Sequence, residues 1–118
     1  MKSILKGIQY LHSVNIIHRD LKPCNWESYL ENILIGEEGN LNSIKIADFG
    51  MSIKIEGKNQ KISTHCGTLI YMAPEVILRK SYSKSIDIWS SAIIMFMLFN
   101  NGNHPLIPRN KRGSITAE

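Results

Sequence analysis

Hydrophobic positions along this chain recur with two different periods, and the changes between them mark its elements. Met1, Ile4, Leu5, Ile8 and Leu11 fall at helical spacing with Lys2, Lys6 and Gln9 between them, which predicts an amphipathic helix at the start. No capping residue stands before Met1, so the helix is expected to begin further upstream. Ile16-Ile17 reads as a short buried strand. Ile33-Leu34-Ile35 and Ile44-Lys45-Ile46 flank the polar run Gly36-Glu37-Glu38-Gly39-Asn40 and read as a hairpin. Residues 57–63 are polar, carry Lys58 and Lys61, and predict a mobile segment. Residues 86–99 are apolar nearly all round, which predicts a fully buried helix, capped by Ser83 or Ser85 and stopped at Gly102, with Met95 and Met97 in the core. Beyond Pro105 the chain turns polar and basic through Arg109, Lys111 and Arg112 without periodicity, so residues 105–118 are expected to form a frayed tail.

Between these elements lie side chains with chemistry. His18-Arg19-Asp20-Leu21-Lys22-Pro23 follows the first strand on a tight loop. An Asp held there can accept a proton from a hydroxyl, and a Lys two residues on can neutralise a phosphoryl oxygen. An Asn shortly afterwards can ligate a metal ion, and two candidates exist. Asn25 stands at the spacing H-R-D-x-x-x-x-N, whereas Asn32 has an acidic residue before it and an apolar strand after it, which makes residues 24–30 look inserted. Asn32 is favoured because it leads directly into Ile33-Leu34-Ile35; a register set on Asn25 would put Glu27 where Leu34 belongs. An insert of this length costs on the order of 1 kcal/mol or less in loop closure, and is expected to bulge outward with Trp26 or Tyr29 partly exposed. Asp48, directly after the second hairpin strand, can hold Mg²⁺ against the β- and γ-phosphates of a nucleotide.

Three further motifs follow in order: Ala47-Asp48-Phe49-Gly50, Cys66-Gly67-Thr68-Leu69-Ile70-Tyr71-Met72-Ala73-Pro74-Glu75 and Asp87-Ile88-Trp89-Ser90. With the loop around Asp20 they stand in the order and rough spacing of a eukaryotic protein kinase. From residue 1 to about His104 the chain resembles the catalytic half of such a kinase. Lys22, and Thr68 ahead of Tyr71-Met72-Ala73-Pro74-Glu75, resemble the serine/threonine branch, and within it the calcium/calmodulin-dependent type. The resemblance implies a mainly α fold with short β-hairpins, a truncated kinase-like C-lobe of the α+β class over residues 1–104. It implies ATP and Mg²⁺ as cofactors and protein Ser/Thr hydroxyls as substrates. Asp20 would be the catalytic base with Lys22 beside it, Asn32 (alternatively Asn25) and Asp48 the metal ligands, and Leu34 the residue beneath the adenine. His18 would pack under Phe49, and Asp87 would accept backbone N–H bonds from the catalytic loop. Thr64 would carry an activating phosphate, added by an upstream kinase or by autophosphorylation, with Arg19 as its cationic partner. Thr68 would hydrogen-bond near Asp20 and Lys22. Glu75 would pair with an Arg in later helices that this sequence does not reach.

Composition narrows the picture further. At 118 residues the chain is one domain at most. Fourteen basic side chains against ten acidic ones give a net charge of +4, but the basic residues are scattered, so no nucleic-acid partner is expected. Cys24 and Cys66 lack metal-type spacing and suit a reducing compartment. The start lacks a small-residue cleavage site, and the longest apolar run, residues 92–99, is far below the ~18 residues of a membrane span. A soluble, cytoplasmic protein without a membrane partner is expected. The sequence contains no G-x-G-x-x-G loop, no strand lysine for the α- and β-phosphates and no helix glutamate to pair with it. It therefore reads as lacking the N-lobe, and is expected to transfer phosphate poorly by itself, because that reaction rests on positioning and electrostatics. Two other readings follow: a catalytically silent kinase remnant acting as a protein-binding module, and a truncated product without a stable fold. The helix over residues 86–99, left without covering helices, would offer an apolar docking or aggregation surface.

Overall fold

The structure, a computed structural model, describes residues 1–23, 32–37, 40–57 and 60–108. The opening helix, α1, spans Lys2–Ser13 with Met1 at its N-cap and no side-chain cap. Its apolar stripe turns Ile4, Ile8 and Leu11 inward. Gly7 lets the helix approach the sheet closely: a Cβ there would lie 2.8 Å from Ile46 Cδ1. The helix ends before Asn15, which adopts a left-handed φ of 62°, a conformation that Asn tolerates better than most side chains. Lys84 fastens this corner by donating from Nζ to the Asn15 side chain at 2.8 Å and to the His12 carbonyl.

Two small antiparallel sheets follow. Strand β1, Ile16–Ile17, is short as its sequence predicts, with Ile17 buried and Ile16 half-buried, and β2, Ile33–Ile35, pairs with β3, Ile44–Ile46, in the expected hairpin. The hairpin places Ile33 opposite Ile46, Leu34 opposite Lys45 and Ile35 opposite Ile44. A single 3₁₀ turn, Leu41–Ser43, feeds β3, with the Asn40 side chain accepting from the Asn42 amide. The partner of β1 is β4, Ile53–Lys54, which is too short to announce itself by alternation. After a second 3₁₀ turn at Leu69–Tyr71 comes α2, Pro74–Ile77, begun by a proline whose missing N–H is no loss in a first turn.

The last element, α3, spans Ser85–Phe99 and joins two cores. Ile86 near its start packs with Ile17, Ile55, Ile62, Val76 and Tyr82. Ile94, two turns on, packs with Ile4, Ile8, Leu21 and Ile33 under the hairpin. Burying each such side chain contributes about 1.5–3 kcal/mol.

Several expectations need correction. Helix α3 is not buried all round: Ile88, Met95, Phe96, Leu98 and Phe99 are exposed, so Met97 is core and Met95 is not. With apolar residues on every side, those that meet one of the two cores find cover. Neither Ser83 nor Ser85 caps the helix through its side chain; Lys84 is the N-cap, and the first amides use the main-chain carbonyls of Ser83 and Lys84. Among the described residues of the segment read as mobile, residues 57–63, Ile62 is buried and forms a β-bridge with Tyr82. Residues 105–108 fold back, the amides of Leu106 and Ile107 both donating to His104 Nδ1 at 3.1 Å. The expected bulge over residues 24–30, with Trp26, Tyr29 and Asn25, and the expected tail from 109 fall outside the described residues.

Candidate active site

Strand β1 delivers His18, Arg19 and Asp20 to one edge of the molecule, and Asp87 in the first turn of α3 fixes them there. The Asp87 carboxylate accepts from the backbone amides of His18 and Arg19, both at 2.9 Å, and from His12 Nε2 at 2.8 Å. It is 1% exposed. A buried charge is tolerable when its lone pairs are filled in this way, and becomes a large penalty when they are not. The reward is a loop whose strained backbone is held: Arg19 sits at φ 71°.

His18 is fully buried and packs edge-on against Phe49, with ring centroids 5.3 Å apart. Its Nε2 donates to the Ala47 carbonyl at 3.0 Å, which leaves Nδ1 to accept from the Asp20 amide. His18 thus joins the loop of Asp20 to the segment that carries Asp48, a structural place and no contact with solvent.

Asp20 is nearly buried, and its two carboxylate oxygens have different neighbours. Oδ1 accepts from the Thr68 hydroxyl at 2.7 Å, while Oδ2 faces Lys22 Nζ at 3.3 Å. Lys22 Nζ also reaches Thr68 Oγ1 at 3.4 Å, closing a triangle of carboxylate, ammonium and hydroxyl. The triangle requires the stretch before Thr68 to cross the loop at close range. Gly67 permits this: it adopts φ 112°, and a Cβ on it would lie 2.5 Å from the Arg19 carbonyl oxygen.

Asn32 is fully buried beneath the same loop. Its Nδ2 donates to the Asp20 carbonyl and its Oδ1 accepts from the Lys22 amide at 2.8 Å, while its own carbonyl accepts from Ala47 N at 2.8 Å. Asn32 therefore meets the loop of Asp20 and the strand leading to Asp48 at once. Asp48 is exposed at φ 57°, with Oδ1 accepting from the Gly50 amide at 3.2 Å and Oδ2 taking no hydrogen bond among the described residues. Leu34, on β2, is 43% exposed.

Arg19 points toward Thr64. Its Nη1 donates to Thr64 Oγ1 at 2.7 Å and its Nε to the Met51 carbonyl. Glu75 lies in the first turn of α2 and makes no ion pair among the described residues. Cys66 is a free thiol, half-buried. Among the described residues no three His, Cys, Asp or Glu side chains gather as a metal cluster, so a divalent ion here would depend on a mixed set such as Asp48 with the Asn32 amide oxygen.

Three contributors stand in none of the motifs: His12 on Asp87, Tyr82 on Arg19, and His104, whose Nε2 donates to the Ile70 carbonyl at 2.7 Å; Ser90, the last residue of its motif, donates to the Tyr71 carbonyl at 2.8 Å. The one available signal is compositional. Tyr82 is the lone aromatic in the polar run Arg79-Lys80-Ser81-Tyr82-Ser83-Lys84, and an aromatic so placed has to find its cover elsewhere.

The chain is similar in sequence to known proteins. A family model described as the protein kinase domain matches residues 1–117. The chain is 45% identical over 98 residues to a probable myosin light chain kinase of Dictyostelium discoideum, covering 83% of this chain and 26% of that protein. It is 45% identical over 134 aligned positions to serine/threonine-protein kinase 33 of Mus musculus, covering 100% of this chain and 26% of the relative. To ribosomal protein S6 kinase 2 alpha of Xenopus laevis it is 41% identical over 110 residues, 93% of this chain and 14% of the relative. The chain thus spans about a quarter or less of these three relatives.

Proposed function

The chain belongs to the protein kinase domain family, and on that premise we propose that it supplies the catalytic loop of a serine/threonine kinase that moves the γ-phosphoryl group of ATP to a protein hydroxyl. The observation that carries the reading is the triangle of Asp20, Lys22 and Thr68. Asp20 Oδ2 accepts the proton of the incoming Ser or Thr hydroxyl. The hydroxyl oxygen bonds to the γ-phosphorus as the bond to the bridging β–γ oxygen breaks, and ADP leaves. Lys22, on the same side as Oδ2, balances charge on the transferring group. Thr68 holds the other carboxylate oxygen, so the base keeps one orientation; such positioning is most of what phosphoryl transfer asks of a protein.

Magnesium fits the residues present. It prefers hard oxygen ligands, and Asp48 offers an exposed carboxylate with one oxygen uncommitted among the described residues, while the Asn32 amide oxygen accepts one hydrogen bond there and has two lone pairs. Asp48 and Asn32 are the residues we assign to it. When bound, the ion neutralises charge on the β- and γ-phosphates. Leu34 is assigned to the adenine, and Thr64 to an activating phosphate opposite Arg19. The same reading places the protein in a reducing, cytoplasmic setting, in keeping with the free thiol of Cys66.

The test is phosphate transfer from radiolabelled ATP to a Ser/Thr peptide by the longest natural polypeptide that contains this chain. Asp20→Asn is expected to lower the rate by about 10²–10⁴-fold, the usual worth of a general base, with nucleotide binding retained. Undiminished transfer in Asp20→Asn would refute the assignment. Peptide binding without any turnover in the wild type would favour the silent binding module.

A further inference from the structure

Tyr82 belongs to none of the kinase motifs, yet its side chain ends where the segment of Thr64 meets the catalytic loop. The ring is 3% exposed and packs in the core with Ile17, Ile55, Ile62, Val76 and Ile86. The main chain of Tyr82 exchanges both hydrogen bonds with Ile62, each at 2.9 Å. Its hydroxyl has two partners: it donates to the Thr64 carbonyl oxygen and accepts from Arg19 Nη1 at 3.2 Å. The same Nη1 donates to Thr64 Oγ1 at 2.7 Å. A guanidinium carries five N–H donors in a fixed fork, and three of Arg19's are taken by Met51, Thr64 and Tyr82. Those on Nη2 have no partner among the described residues.

A ring that merely filled this core could end in hydrogen. A hydroxyl buried there costs free energy unless it is paired, and both of its pairs concern the junction of residue 64 with Arg19. We propose that Tyr82 is the positioning residue that presents Thr64 to Arg19, so that a phosphate on Thr64 is gripped by Nη1 and Nη2 together. The proposal rests on the assignment of Thr64 as a phosphate acceptor. A phosphate there adds about −1.5 to −2 charge and three acceptor oxygens, and the hydroxyl of Tyr82 fixes both partners before it arrives, so little ordering remains to oppose the contact. The grip is felt at the catalytic loop because the Arg19 amide is itself held by Asp87 Oδ1 at 2.9 Å.

The experiment installs phosphothreonine at position 64 during synthesis of the longest natural polypeptide containing this chain, so that it needs no kinase activity, and follows the phosphate's second ionisation by ³¹P resonance. In the wild type this ionisation is expected below that of phosphothreonine in a short peptide, since a cation favours the doubly charged form. Tyr82→Phe keeps the ring and should return it most of the way to the peptide value. In an Arg19→Lys background Tyr82→Phe should add nothing, because Tyr82 acts through the guanidinium fork. An ionisation unchanged or lowered by Tyr82→Phe, or an equal shift in both backgrounds, overturns the proposal. A wild-type phosphate titrating like the free peptide would overturn the pairing of Thr64 with Arg19 itself, and the proposal with it. Should Tyr82→Phe not fold, fluorotyrosine at position 82 gives the answer: its ¹⁹F resonance moves between the Thr64 and phosphothreonine forms, and an unmoved resonance overturns the proposal.

Discussion

The two ends of α3 are made of the same kind of sequence and do opposite things. At its start Asp87, the one charged residue of the helix, is 1% exposed; at its end Phe99 is 81% exposed. Hydrophobicity would order them the other way. What decides is the partner each end meets. Asp87 arrives opposite two backbone amides and an imidazole that fill its oxygens, whereas nothing among the described residues lies over Phe99 or Leu98. The first half of α3 is an anchor for the loop of His18, Arg19 and Asp20 and the second an apolar face, and the anchor is built of hydrogen bonds that no burial of carbon could replace.

This contrast can be broken by substitution, most forcefully at Asp87. Asp87→Ala leaves the amides of His18 and Arg19 buried and unpaired, and is expected to cost about 3–5 kcal/mol in denaturant unfolding, the usual loss when one member of a buried charged network goes. Phe99→Ser, at the other end of the same helix, should stay within about 0.5 kcal/mol, as surface changes do. Adjacent residues sharpen the point. Ile94→Ala should cost about 2–5 kcal/mol because its side chain is 1% exposed between α1 and the hairpin; the same assay should find Met95→Ala several-fold milder, since Met95 is 41% exposed. Ser90 gives the smallest expected effect on the anchored half. Its hydroxyl bridges to the Tyr71 carbonyl, and Ser90→Ala should cost about 1 kcal/mol, the net worth of one hydrogen bond. Activity separates the two asparagines. Asn32→Ala should abolish transfer, both by freeing the Asp20 and Lys22 backbone and by removing the assigned metal ligand, while Asn25→Ala in the same polypeptide should leave transfer standing. The reverse pattern would move the ligand to Asn25.

Local pattern made much of this fold legible. The period of α1 and the apolar triplets of the hairpin each report on side chains a few residues apart, and the structure places those elements where the pattern does. The ordered motifs likewise bring Asp20, Lys22 and Thr68 into one expectation, and the three side chains lie together. What stayed hidden are contacts between positions far apart in the chain. His12 meets Asp87 across 75 residues, and Arg19 meets Tyr82 across 63. No window of sequence contains both partners, and neither His nor Tyr carries a period. The burial of α3 failed for a related reason: when every side of a helix is apolar, the pattern is silent about which side is covered. Strand β4 and the bridge of Ile62 are too short to be told from a polar loop.

The central claim, that Asp87 organises the loop of Asp20 through the backbone of His18 and Arg19, is tested most directly by amide hydrogen exchange at those two residues. In the wild-type protein both amides should be protected, and Asp87→Ala should strip that protection while Phe99→Ser leaves it intact. Fast exchange of His18 and Arg19 in the wild type, or protection that survives Asp87→Ala in a protein that still folds, would contradict the claim.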